Sequence, residues 1–198
     1  MGLSFHYSGR IANPDLLSEL IVEIEDIAKV YRWKYNIYER HFPENSIGKP
    51  DYNQDIYGIT FTPTNCETIS VSFLSNGRLS SPSHLVFWGH TPEQPEREYL
   101  YMLSVKTQYA GAELHMFIIQ LFHYLNNKYF ADFKLSDEGQ YWETNDETLL
   151  NSTFRRYTDL INGFASTMEN YPILSGEDLE SYLERLIKML QDKRNEGR

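Results

Sequence analysis

Residues 69–77 read Ile-Ser-Val-Ser-Phe-Leu-Ser-Asn-Gly, and this stretch decides the fold class. Apolar residues alternate with serines up to Phe73, so a strand here would bury one face and expose the other to water. Asn76-Gly77 follows at once, and this dipeptide favours the tight turn of a β-hairpin. The chain is therefore predicted to return antiparallel over residues 78–88, in a strand that Pro82 interrupts.

Further strand-like runs lie on both sides of this hairpin. The predicted set covers residues 3–10, 33–37, 57–61, 99–105 and 133–135. Turn-rich segments without a helical pattern separate the central members of the set. Hairpins without intervening helices imply an antiparallel sheet.

Two helices are predicted to pack with these strands. Asn13 as N-cap and Pro14 at the first helical position begin the first one, whose apolar stripe continues to Tyr31. The second covers about residues 111–128. Its wide apolar face predicts that it lies against the sheet.

Two more helices are predicted at the C-terminal end. Thr144 and Glu147 have the spacing of a capping box at the start of the first, and Ser175 is predicted to cap the second. The resulting fold class is α+β. It is a two-layer, mostly antiparallel sheet in the order β-α-β-β-β-β-α-β, with helices on one face and two C-terminal helices.

A chain of 198 residues suits one domain with a sizeable core. We expect a single domain over residues 1–198, with a sheet-and-helix body at 1–140 and a helical part at 141–190. Residues 191–198 are charged and are predicted to form a mobile tail.

The net charge of −10 and the scattered basic residues argue against nucleic-acid binding, which requires clustered Lys and Arg. Every apolar run is far shorter than the roughly 18 residues that span a bilayer, so no membrane partner is predicted. The N-terminus has no signal-peptide pattern, and the single cysteine, Cys66, excludes an intrachain disulfide. These features predict a cytoplasmic protein.

The segment 137–147 contains five carboxylates and is the richest polar stretch of the chain. Asp137, Glu138 and Glu143 could bind a hard cation, or one of them could act as a general base. Trp142 in the same segment is a candidate ligand-binding residue. The alternative is structural: acidic residues favour the start of a helix, while Trp142 anchors the loop in the core.

The segment 106–111 joins a predicted strand to the second helix. Lys106 beside a helix N-terminus could hold an anion, and Thr107 or Gln108 could add hydrogen bonds. A plain turn with an exposed lysine is the competing interpretation.

His115 lies at the edge of the apolar face of the second helix. It could contribute to a site with the two loops, although a hydrogen-bonded, half-buried histidine is the simpler interpretation. His123 is eight residues away, about 12 Å along the helix axis, which is too far to share an ion with His115. No metal site and no cofactor are predicted.

Residues 106–111 and 137–146, joined by the helix that bears His115, resemble a group of uncharacterised bacterial cytoplasmic proteins. No activity is known for that group. The resemblance implies a bacterial cytoplasmic protein and directs attention to these two loops.

Two functions fit these observations. One is a non-enzymatic protein-interaction domain of the immunity or adaptor type, because the chain is acidic and lacks a complete catalytic motif. Its partner would be another protein, and the chain itself a monomer or homodimer. The alternative is a small hydrolase or an anion- or metal-dependent ligand-binding domain, with a site formed by segments 106–115 and 137–147. That alternative requires the two segments to converge.

Overall fold

The structure is a computed structural model that describes residues 3–91 and 94–196, and it confirms the α+β class. Its strands are β1 (Ser4–Ile11), β2 (Lys34–Ile37), β3 (Tyr57–Thr62), β4 (Ile69–Phe73), β5 (Leu103–Lys106) and β6 (Phe130–Asp137). Its α-helices are α1 (Leu17–Val30), α2 (Pro82–Trp88), α3 (Gln94–Arg97), α4 (Ala112–Tyr129), α5 (Tyr141–Thr144), α6 (Glu147–Asn170) and α7 (Leu179–Glu196). The chain folds as two compact units, Met1–Phe154 and Arg155–Arg198.

The strands form two three-stranded antiparallel sheets rather than a single sheet. The first has the order β5-β1-β6 and the second the order β2-β3-β4. The Tyr7 hydroxyl connects them, since it donates to the Ser70 carbonyl at 2.9 Å and accepts the Ser70 N–H at 3.1 Å. The backbone of Ile11 also donates to Gly77, and that of Leu79 to Gly9, both at 2.9 Å.

The predicted turn at Asn76-Gly77 is present, but the prediction of a return strand over residues 78–88 is wrong. Leu79 pairs with Phe73 in one isolated bridge, and helix α2 then begins at Pro82. Ser81 caps that helix by accepting the His84 N–H at 3.1 Å. A serine cap followed by proline at the first helical position favours a helix start, and this local signal overrides the alternation of the hairpin.

Other predicted boundaries shift as well. Residues Glu98–Tyr101 form a 3₁₀ turn, so the strand predicted over 99–105 begins only at Leu103. The last strand extends over Phe130–Asp137 and is longer than the predicted 133–135. Asn13 caps the first helical turn as predicted, since its Oδ1 accepts the Asp15 N–H at 3.0 Å.

Aromatic rings build the core of the first unit. Phe122 of α4 packs on Phe5 and Tyr7 of β1, with ring centroids 5.4 and 4.8 Å away, and stacks on Phe133 of β6. Helix α4 therefore covers the first sheet, as its apolar face predicts. Helix α1 buries Leu17, Leu20, Ile21, Ile24 and Ala28, the stripe expected from the sequence.

The second unit contains the end of α6 and all of α7. Arg185 binds Glu177 through two parallel hydrogen bonds, Nε to Oε1 at 2.7 Å and Nη2 to Oε2 at 2.8 Å. Asp178, not the predicted Ser175, caps α7, because its Oδ1 accepts the Ser181 N–H at 2.8 Å and the helix begins one residue after it.

The boundary between the two units falls inside α6, fourteen residues after the predicted end of the sheet-and-helix body at residue 140. A single domain over 1–198 stays a prediction. In the predicted tail the backbone is helical to Glu196, while Gly197 and Arg198 lie outside the described residues. Within 3–91 and 94–196, no helix is both long and apolar enough to cross a bilayer.

Candidate functional site

The two polar loops singled out in the sequence meet at His115. Its Nδ1 lies 2.7 Å from Thr107 Oγ1, and its Nε2 lies 3.1 Å from Asp137 Oδ2. Thr107 follows β5, Asp137 ends β6, and α4 carries the imidazole between them. We call Thr107, His115 and Asp137 the Thr–His–Asp cluster.

This cluster has the order hydroxyl, imidazole, carboxylate, which is the order of a nucleophile activated by a general base. The side chains of His115 and Asp137 are 0% exposed, however, and Thr107 is 0% exposed as a residue. The rings of Phe5 and Phe154 close over the imidazole, with centroids 6.2 and 5.6 Å away. A substrate therefore has no access to the hydroxyl, and the cluster serves as an interior hydrogen-bond network.

Asp137 organises the loop that follows β6. Its Oδ1 accepts the N–H of Gly139 at 2.7 Å, and its Oδ2 accepts those of Tyr141 and Trp142 at 2.8 and 3.2 Å. Burial works to raise the pKa of Asp137, but the hydrogen bond and charge of His115 and these backbone N–H groups outweigh it, and the net pKa is lowered. Asp137 therefore acts as the shared acceptor for these backbone N–H groups.

Gly139 is required beside this network. A Cβ at this position would lie 2.6 Å from Leu150 Cδ1, 3.1 Å from Asp137 Oδ1 and 3.2 Å from His115 Nε2. Any larger residue would collide with both the core and the cluster. Leu150 leaves the least room for a side chain here, and the Asp137 carboxylate and the His115 ring limit the rest.

The other acidic candidates of the 137–147 loop also bind backbone groups. Glu138 Oε2 accepts the Ser4 N–H at 2.8 Å, and its Oε1 lies 3.7 Å from His6 Nε2. Glu143 Oε1 accepts the Asp137 N–H at 3.3 Å. Both carboxylates therefore join neighbouring segments of the chain rather than converging on one point.

Trp142 is half-buried and anchors the loop on α4. Its ring stacks on the imidazole of His123 with a centroid separation of 3.8 Å and an interplanar angle of 4°. It also meets Phe133 edge-on at 5.9 Å. This arrangement fits the anchoring role that the sequence allows for Trp142.

The candidates of the 106–111 loop also hold the N-terminal strand. Gln108 Oε1 accepts the Leu3 N–H at 3.2 Å, and the Thr107 N–H donates to the Leu3 carbonyl at 3.0 Å. The backbone N–H of Lys106 donates to Glu67 at 2.7 Å. The loop is a strand-to-helix connection in which Thr107, Gln108 and the Lys106 N–H are hydrogen-bonded within the chain.

A second pair of chemically interesting side chains is not evident from the sequence motifs. Ser81 Oγ lies 2.6 Å from His84 Nδ1, at the edge of a pocket of about 290 Å³. Burial lowers the pKa of His84, and a hydrogen bond with the Met102 carbonyl opposes that shift. Ser81 also caps α2, so its oxygen already accepts a backbone N–H. The spacing Ser81-Pro82-Ser83-His84 is the signal that could have revealed this pair.

Within the described part of the chain, no three His, Cys, Asp or Glu side chains are grouped closely enough to hold a metal ion. Compared with known proteins, the chain matches no known family, no curated protein and no solved structure. The resemblance to bacterial cytoplasmic proteins therefore stays a hypothesis.

Proposed function

We propose that the protein is a non-enzymatic interaction domain that binds another protein through the apolar face of its C-terminal helices. One observation carries this proposal: large apolar side chains of the second unit are exposed to solvent. They are Leu160, Phe164, Met168, Ile173, Leu174, Leu179, Leu183 and Ile187.

The spacing of these residues makes the exposure informative. Leu160, Phe164 and Met168 follow one another at intervals of four on α6, and Leu179, Leu183 and Ile187 do so on α7. Side chains four residues apart lie on the same face of a helix. Scattered apolar residues on a surface are ordinary, whereas a continuous apolar face marks an interaction surface.

The polar clusters support the same conclusion. The Thr–His–Asp cluster has catalytic residue types but is sealed from solvent, and the Ser81 oxygen is already used as a helix cap. A hydrolase would need its nucleophile open to substrate. The geometry therefore favours binding over catalysis.

The chemistry of the surface suggests the class of partner. A partner protein would need a complementary apolar groove or helix face, since amphipathic helices bind through residues spaced at three and four. The net charge of −10 would additionally speed association with a basic partner at low salt.

Site-specific photo-crosslinking of the full chain, in cells that naturally make it, tests the proposal. A photoreactive amino acid replaces Leu183 in one variant and Glu184 in the matched control, which points about 100° away around α7. We expect one reproducible crosslinked protein at position 183 and none at 184. The substitution Phe164→Ser should weaken that crosslink at position 183.

Three outcomes would contradict binding to a different protein through this face. A crosslink only to a second copy of the chain, with a dimer in light scattering of the purified protein, would identify the face as a homodimer interface. Equal labelling at positions 183 and 184, or none at either, would remove the basis of the proposal.

A further inference from the structure

A pocket of about 380 Å³ lies beside the first sheet, and none of its lining residues belongs to the Thr–His–Asp cluster. It is lined by parts of β1 and β6, by the turn after β4 and by the loop before β3. Four of the lining side chains are cationic and one is anionic: Arg10, Lys49, Arg78, Lys134 and Asp132. We call it the basic pocket.

The charge of this pocket is opposite to that of the chain. The chain has 28 acidic and 18 basic residues, so a random set of charged side chains would be mostly acidic. Here cations outnumber anions four to one. A local reversal of charge in a concave surface creates a positive potential that attracts anions.

Backbone hydrogen bonds fix the segments that form the pocket. The N–H of Gly48 donates to the Asn76 carbonyl at 3.0 Å, which ties the loop before β3 to the turn after β4. The N–H of Ile11 donates to the Gly77 carbonyl at 2.9 Å, which ties the same turn to β1. The four cations therefore project from segments that backbone hydrogen bonds join to one another.

A β-bulge orients Arg10. Ser8 pairs with Lys134 and Arg10 with Ala131, so Gly9 alone faces two residues of β6. Asp132 in this bulge has φ of +52°, and its Oδ2 lies 2.7 Å from Arg10 Nη2. Such bulges redirect side chains.

Arg78 is held flat at the edge of the pocket. Its guanidinium lies over the Tyr101 ring, 3.3 Å from the centroid, and its Nη2 donates to Glu98 at 3.3 Å. A guanidinium has five N–H donors, so most of them stay available. Stacking on an aromatic ring fixes the planar fork that binds phosphate with two parallel hydrogen bonds.

Lys49 and Lys134 supply charge that the protein does not neutralise. Both side chains are exposed, and within residues 3–91 and 94–196 neither has an ion-pair or hydrogen-bond partner. Arg10 and Arg78 each already contact a carboxylate. The two lysines thus provide the unbalanced positive charge of the pocket.

We propose that the basic pocket binds the phosphate group of a small phosphate monoester. Two lysines supply point charges for a dianion, while Arg78 supplies directed N–H donors. Pockets for small ligands usually have volumes of roughly 300–1,000 Å³, so there is room for an organic group beside the phosphate. This site is independent of the helical face proposed for protein binding, and either proposal can fail without the other.

Calorimetric titration of the full chain with glycerol phosphate, at an ionic strength of about 0.1 M, tests the proposal. Lys49→Ala and Lys134→Ala should each weaken binding about tenfold, because each removes a charge-assisted contact. Lys34→Ala is the matched control, since Lys34 is an exposed lysine of β2 outside the pocket. It should change the affinity by less than about twofold, since screened surface charges act weakly.

Several outcomes would overturn the assignment. Equal affinity in the Lys49, Lys134 and Lys34 variants would show that glycerol phosphate binds elsewhere. Absence of heat in the wild-type protein at two temperatures would show that it does not bind glycerol phosphate. Inorganic phosphate that binds at least as tightly as glycerol phosphate would identify a free-phosphate site instead. Binding only to vesicles of phosphatidylglycerol, lost in the two pocket variants, would identify a membrane surface.

Discussion

The Thr–His–Asp cluster and the basic pocket are both polar, yet they use their side chains in opposite ways. In the cluster every polar group is buried and has a partner, and the His115 and Asp137 side chains are 0% exposed. In the pocket the Arg10 side chain is 51% exposed, and Lys49 and Lys134 have no ion-pair partner among the described residues. The cluster stabilises the fold, whereas the pocket retains unused binding capacity.

The difference shows how a binding site can be told apart from a buried polar network. Catalytic residue types at hydrogen-bond distance also occur in buried networks, because any buried polar group needs a partner. Four cations gathered in one pocket of an acidic chain, two of them without a carboxylate partner among the described residues, have no such structural explanation. The predictions below test this contrast, from the largest expected effect to the smallest.

Asp137→Ala should destabilise the protein by about 3–5 kcal/mol, because it leaves three backbone N–H groups and His115 without an acceptor inside the core. Urea unfolding followed by tryptophan emission measures this, since Trp33, Trp88 and Trp142 all lie in the first unit. Asp132→Asn is the control. Its side chain is 70% exposed and asparagine tolerates positive φ, so little change is expected.

A loss below about 1 kcal/mol for Asp137→Ala would contradict the structural role of the cluster. It would mean that the loop after β6 opens readily, and that the buried hydroxyl and imidazole become accessible to substrates. The comparison between a sealed cluster and an open pocket would then no longer hold.

The ionisation of Asp137 should also appear in the pH dependence of the free energy of unfolding. Because the pKa of Asp137 is lower in the folded protein, its stabilising contribution is complete above the ordinary value of 3.8 and is lost as the pH falls through the lower folded value. Acid should therefore narrow the stability difference between the wild-type protein and Asp137→Asn. Urea titrations at pH values on both sides of 3.8 measure it. A difference that stays constant across this range would exclude Asp137 as the titrating group.

Much of the fold follows from local sequence signals. The alternation at 69–73, the cap at Asn13 and the apolar stripe of α1 each specify their element without help from distant residues. The prediction of a return strand over residues 78–88 is wrong because Ser81 and Pro82 start a helix there. This capping signal is also local. The division into two sheets depends on contacts such as Tyr7 with Ser70, which no local pattern encodes.

The candidate site was predictable only in part, for a related reason. The sequence drew attention to the segments that contain Thr107, His115 and Asp137, but their burial depends on how Phe5 and Phe154 pack over them. The basic pocket escaped notice because its cations lie in four separate segments, far apart in the chain. The polar segments of the sequence therefore indicated the Thr–His–Asp cluster, which is a buried network. The basic pocket can be identified only from the tertiary structure.

Ser81→Ala should cost about 1 kcal/mol of stability, because it removes the acceptor for the His84 N–H at the start of α2. Ser81→Asp would keep an acceptor and should restore most of that loss. Thermal unfolding of the two variants distinguishes the roles. If Ser81 were only one end of a pair with His84, aspartate would not rescue it, and the pair would deserve a test for reactivity toward serine-directed reagents.

Lys49→Ala and Lys134→Ala should leave the free energy of unfolding within about 0.5 kcal/mol of the wild-type value, because both side chains are exposed and unpaired among the described residues. Removing one of four nearby cations could even stabilise the fold slightly by reducing repulsion. Urea unfolding without phosphate measures this baseline, and repeating it with glycerol phosphate should stabilise the wild-type protein more than either variant. If one of these variants is less stable than the wild-type protein without ligand, that lysine stabilises the fold. Its role would then not differ from that of the residues in the Thr–His–Asp cluster.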